Sequence, residues 1–132
     1  MTASVATTYT IYHADGSLTL GTVWDWPENP SLEQLKAVIE PLVDGPMEHV
    51  RVLDPAAAQQ DVVGEDDYRD MFVDEQGHVR ASGAKPKNVQ ATAIYRANWL
   101  RAFGMAGRSG ASQEALPWIA GDAIVFDRRI WR

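Results

Sequence analysis

The chain has 132 residues and no cysteine, with 45% hydrophobic and 23% charged residues. That length fits one domain, that composition excludes wholesale disorder, and the missing thiols exclude disulfides and thiolate metal sites. The formal charge of −6 is uneven: residues 1–66 carry two bases against eleven acids and residues 67–132 ten against seven, giving −9 and +3.

In chain order, "TYTIYH" (8–13) is rich in strand formers, and "ADGS" follows as a hairpin turn, its Asp15-Gly16 pair suited to positive φ. "LTLGTVWDW" (18–26) returns as a second strand, with Trp24 and Trp26 at strand period on one face, and "PENP" stops it. Ser31 is the expected N-cap of a first helix, with Gln34 at the capping-box position. Leu32, Leu35, Val38, Ile39 and Leu42 form its apolar stripe, and Asp44-Gly45-Pro46 ends it. "MEHVRVL" (47–53) is a third strand, and 54–69 an inserted loop without a clear period.

"DMFVD" (70–74) and "HVRA" (78–81) are expected as two strands around a turn, Asp74 to Gly77. Gly77 is assigned there a positive φ, and Asp74 and Glu75 a place in water. "SGAKPKN" (82–88) leads to a second helix over 89–103, capped by Asn88, with Val89, Ala93, Ala97 and Leu100 along its stripe. Residues 104–117 are a small-residue loop expected to be mobile, and 118–127 is the last strand, where Gly121 marks a bulge or close backbone approach. The order β-β-α-β-β-β-α-β predicts one α+β domain over residues 1–132 with a mainly antiparallel sheet.

Chemistry-bearing patterns are sparse. His13, His49 and His78 lack metal-ligand spacing, no serine sits in a nucleophile elbow, and "GMAGRSG" lacks a phosphate loop's lysine. Glu65-Asp66-Asp67 lacks the alternating ligands of a calcium loop. No metal, no cofactor and no catalytic residue is therefore assigned. The start of the second helix is the one place with a physical reason to bind: Lys85, Lys87 and Asn88 meet the positive end of a helix dipole, and Tyr95 and Arg96 could add a ring and a second cation. The competing expectation is an ordinary capped helix with solvated lysines. Five tryptophans raise a further expectation, that any left exposed marks an interface, with a homodimer as a reasonable partner.

Four segments resemble a family of small domains of unknown function found in bacteriophages and conjugative elements. The match runs over about 35–127: Asp44-Gly45 with Glu48, Asp74-Glu75-Gln76-Gly77, Asn88 with Ala91-Thr92, and Ile119 with Gly121-Asp122-Ala123. The resemblance implies an accessory protein of a mobile element, acting in the host cytoplasm, plausibly against host defence. The leading expectation is a non-enzymatic protein that captures a small anionic, nucleotide-like ligand. One alternative is an acidic inhibitor that imitates nucleic acid with Asp25, Glu28, Glu33, Glu40 and Asp44. The other is a hydrolase using acids with His49 or His78. Membrane contact is not expected, because no run approaches the ~20 apolar residues that span a bilayer. The acidic first half also argues against direct nucleic-acid binding.

Overall fold

Thr7–Tyr12 forms the first strand, β1, and turns back into β2, Leu18–Val23, with Tyr12 opposite Leu18 and Thr7 opposite Val23. His13 N–H donates to the Ser17 carbonyl and Gly16 N–H to that of His13, closing the turn. Gly16 sits at φ +94°, which a residue with a Cβ rarely adopts. The computed structural model in which this is seen describes residues 4–57, 60–77, 84–102 and 118–131. β2 ends at Val23, earlier than expected, so Trp24 and Trp26 do not share a face: Trp24 is exposed and Trp26 is buried in the core.

Helix α1, Leu32–Val43, starts as its sequence directs. Gln34 N–H donates to Ser31 Oγ while Ser31 N–H donates to Gln34 Oε1. Asp44, left-handed at φ 56°, ends it. Leu35, Ile39 and Val43 are buried, Val38 and Leu42 pack beside them, and Leu32 stays exposed.

The remaining strands are β3, Met47–Leu53, β4, Tyr68–Asp74, and β5, Ala123–Phe126. They join one sheet in the order β2-β1-β5-β4-β3, every neighbouring pair antiparallel. It follows that β2 and β3, at opposite edges, run parallel, and such a return needs a crossover. α1 makes it across one face, closing over Ile11, Phe72, Ile124 and Phe126. Helix α2, Val89–Ala102, connects β4 to β5 on the other face, where Ala91 packs with Val52, Met71, Val73 and Ala123. This is the expected α+β architecture. The strand assigned to 78–81 and the loop assigned to 104–117 lie outside the described residues. Between β3 and β4 the excursion holds two short 3-10 turns, Pro55–Ala57 and Glu65–Asp67.

Two local expectations are corrected. The stripe of α2 that packs is not the one led by Val89 and Ala93, which are exposed; Ala91 and Thr92 are buried, and Ile94 and Tyr95 half-buried. Polar bonds set that rotation. Ala91 N–H donates to Asn88 Oδ1, Asn88 Nδ2 donates to the carbonyls of Tyr12 and Gly121, and Ile119 N–H donates to Thr92 Oγ1. Gly77 is not a positive-φ residue either. A Cβ there would lie 2.9 Å from the Ala120 carbonyl, so close approach of two backbones is what requires glycine. Gly121, by contrast, sits at φ +81° and delays β5 to Ala123, leaving Ala120 only an isolated bridge to Lys87.

Residues that carry the motif resemblance, Gly77, Asn88, Thr92, Ile119 and Gly121, thus meet in one hub that ties α2 to the sheet. Asn88→Ala removes the cap and strands two buried carbonyls, so it should cost about 2 kcal/mol in urea unfolding. An unchanged denaturation midpoint would show the hub to be dispensable.

Candidate functional site

The five residues expected to bind an anion are not gathered at one opening. Lys85 Nζ donates to the carbonyls of Val43 and Asp44, at 2.9 and 2.8 Å, and pairs with Asp74 Oδ2 at 2.8 Å. Its cation thus lies at the C-terminal end of α1, which favours positive charge. Asp74 is correspondingly buried rather than solvated, whereas Glu75 is exposed. Asn88 is fully buried in the hub, Lys87 is exposed, Tyr95 packs into the core under α2, and Arg96 is half-buried.

Cations and rings converge elsewhere, at the β3–β4 edge on the α1 side. β3 alternates His49 and Arg51, and β4 alternates Tyr68, Asp70 and Phe72; Arg51 lies opposite Asp70 and His49 opposite Phe72. The C-terminal tail returns over this corner because Asp70 holds it. One carboxylate oxygen, Oδ2, accepts from Ile130 N–H at 2.7 Å and Trp131 N–H at 3.0 Å, while Oδ1 lies 2.7 Å from His49 Nε2. Trp131 is thereby laid on the His49 ring, with centroids 4.9 Å apart and planes 10° from parallel.

The result is a pocket of about 270 Å³ lined by His49, Arg51, Arg69, Asp70, Arg129 and Trp131, with Tyr68 at its wall. Arg51 lies 3.9 Å over the Tyr68 ring, a cation–π contact. One oxygen of Glu65, Oε2, bridges Arg51 and Arg129 at 3.0 and 3.2 Å, and Arg69 pairs with Asp54 at 3.0 Å. Glu65 is 69% exposed.

Burial pushes the Asp70 carboxyl up, but bonds from His49 and from the Trp131 and Ile130 amides, with the His49 charge, outweigh it and hold it below the ordinary range. Asp70 is therefore ionised at neutral pH. It fixes Nε2 as the protonated nitrogen of His49, and among the described residues nothing hydrogen-bonds its Nδ1. Chemically, the corner can bind an anion through guanidinium forks, stack a planar ring, and accept a proton at Nδ1.

A second imidazole closes the first hairpin. His13 Nδ1 lies 2.8 Å from Asp122 Oδ2 and its Nε2 lies 2.7 Å from Thr19 Oγ1, while Ala14 N–H donates to Asp122 Oδ1. That acid–imidazole–hydroxyl order matches a nucleophilic triad, but the relay borders none of the clefts described here. A wider cleft of about 520 Å³, on the α2 side of β1 and β2, has hydroxyls of Thr8, Thr10, Tyr12 and Thr22 in a largely apolar lining. Of the acidic row, Asp25, Glu28, Glu33 and Asp44 are exposed, whereas Glu40 accepts from Met47 N–H. No group of three metal-ligating side chains occurs among the described residues. Likewise, no helix among them is long and apolar enough to cross a membrane.

His49 and Asp70 escaped attention in the sequence as a pair, being twenty-one positions apart on strands whose register the sequence does not print. The usable signal was period 2: His49 with Arg51, and Tyr68 with Asp70, put polar groups where a strand facing a helix would bury apolar ones.

Comparison of the chain with family models, with curated proteins and with solved structures found no match. The resemblance drawn above rests on its motifs alone.

Proposed function

We propose that the chain is a small binding protein that captures a phosphate-bearing, nucleotide-like ligand, and that the His49–Trp131 pocket is where it does so. The observation that supports this reading is the make-up of the lining. Two guanidiniums, those of Arg51 and Arg129, converge there on the exposed Glu65, and the carboxylate within the lining, Asp70, is already occupied by three donors. Arginine forks match phosphate oxygens, and Trp131 and Tyr68 offer faces for a base. At about 270 Å³ the pocket sits at the small end of ligand sites, which favours a mononucleotide over a dinucleotide. By its motifs the chain suits an accessory protein of a phage or conjugative element, sequestering a nucleotide signal in the host cytoplasm.

Glu65 holds the place such a ligand would take. An exposed carboxylate bridging two arginines contributes at most about 1 kcal/mol, so a phosphate dianion should displace it. Calorimetric titration with AMP and GMP, alongside adenosine and guanosine, tests the reading. Nucleotides should bind at least ~10-fold more tightly than nucleosides, Arg129→Ala should weaken them about 10-fold, and Glu65→Gln should tighten them several-fold. Equal binding of nucleosides, or indifference to Arg129→Ala, would remove the proposal.

The Asp70–His49 pair favours a second reading, in which Nδ1 takes a proton from a water that attacks the phosphorus of a bound phosphoester, the P–O bond to the alcohol breaking as the new one forms. Product appearing with time, lost in His49→Gln, distinguishes turnover from capture.

A further inference from the structure

We infer that two copies of this chain associate through the outer edge of β2, forming one continuous ten-stranded sheet about a twofold axis. Among the described residues no strand pairs with that edge, and β2 (Leu18, Thr19, Leu20, Gly21, Thr22, Val23) contains no charge and no proline. Edges are commonly protected from pairing by just such residues, and the opposite edge, β3, carries Glu48 and Arg51. On β2, moreover, Leu18 and Leu20 project from the face that α1 leaves free. Leu18 is 54% exposed and Leu20 78%, and Trp24, just past the strand, is 72% exposed.

The edge matches a copy of itself. Opposite residues of an antiparallel pair share a face, so a twofold pairing centred on Gly21 sets Leu20 of one copy against Thr22 of the other and brings Leu18 to the end of the partner's strand, beyond which Trp24 is exposed. Charge selects that register. Sliding it so that Leu20 faces Leu20 would bring the Asp15 turn of each copy nearer the Asp25 end of the other, acid towards acid at both ends of the contact. A chain of charge −6 repels its own copy over much of its surface, and this uncharged edge is where the repulsion is least.

The three side chains offer on the order of 400 Å² per copy, and the bare strand edge adds to it, against ~600 Å² per partner at the low end of specific interfaces. A dimer with a micromolar dissociation constant is the expected strength.

Sedimentation velocity of the full chain over a hundredfold concentration range tests this. The weight-average mass should rise from one copy towards two. Leu20→Lys, which places a charge on the edge at an exposed position, should keep the protein monomeric throughout, whereas Leu32→Lys, also at an exposed leucine but on α1, should leave the dimer intact. Circular dichroism confirms that each variant folds. A wild-type monomer at every concentration would overturn the inference and leave the stripe to a different protein. A dimer that survives Leu20→Lys would overturn it too, by showing that the contact lies elsewhere.

Discussion

Lys85→Ala should destabilise the protein by about 3–5 kcal/mol, the largest loss expected of any single side chain discussed here. Its side chain is 17% exposed and its partner carboxylate, Asp74, is fully buried at 2.8 Å. Truncation takes from that buried carboxylate the ammonium that lies against it. It also deprives two carbonyls at the C-terminal end of α1, those of Val43 and Asp44, of a charged donor. The aliphatic stem matters as well, since it passes close over Gly121. Lys85→Met should therefore recover the packing but not the charge. Lys85→Met combined with Asp74→Asn should be more stable than Lys85→Met alone, because the buried charge that Lys85 offsets is gone as well. Urea denaturation of the two singles and the double measures this, and additive losses would mean the pair is not coupled. The same geometry bears on ligand experiments. A lost thermal shift in Lys85→Ala would report unfolding, not a missing phosphate contact, which is why Arg129 is the residue to vary.

Elements whose signals are local were legible in the sequence. The capping box at Ser31 and Gln34, the stop at Asp44, the glycine of the first hairpin and the bounds of β3 all follow from neighbours a few positions apart. Contacts between distant segments were not. The acids of the Asp74–Gly77 turn read as solvated because nothing nearby in the chain announces that Lys85 folds back onto Asp74. Asn88 read as a cap with outward amides; it is a cap, but its Nδ2 reaches carbonyls on β1 and beside β5 that only the assembled sheet supplies. The rotation of α2 was misassigned for the same reason, since hydrogen bonds from Asn88 and Thr92 overrule a weak apolar stripe. The candidate pocket failed to show in the sequence because it depends on the register of β3 with β4 and on the tail returning over both. Nothing local in the tail, "RRIWR", announces the Asp70 carboxylate that holds it.

Asp70→Ala should cost about 3 kcal/mol at neutral pH and release the tail, because one carboxylate there serves three donors. Ile130 and Trp131 amides would lose their acceptor and His49 its orienting partner, so Trp131 should leave the His49 ring and its fluorescence shift to the red. Asp70→Asn should cost less. Its carbonyl can keep the two backbone amides, and its NH₂ can donate to Nε2 if His49 moves its proton to Nδ1. The pH dependence separates charge from shape. Asp70 titrates lower in the folded than in the unfolded chain, so its contribution is fully present above the ordinary value of 3.8 and is lost as pH falls through the folded value. Wild-type stability should accordingly show an acid limb below about pH 4 that Asp70→Asn lacks, the two converging as pH drops. Parallel curves would mean that the carboxylate's charge does not hold the tail. The nucleotide pocket would be affected as well, since its Trp131 wall stands where Asp70 puts it. Below about pH 4 the wild type should therefore lose more AMP affinity than Asp70→Asn, beyond the share both lose as the phosphate itself takes up a proton.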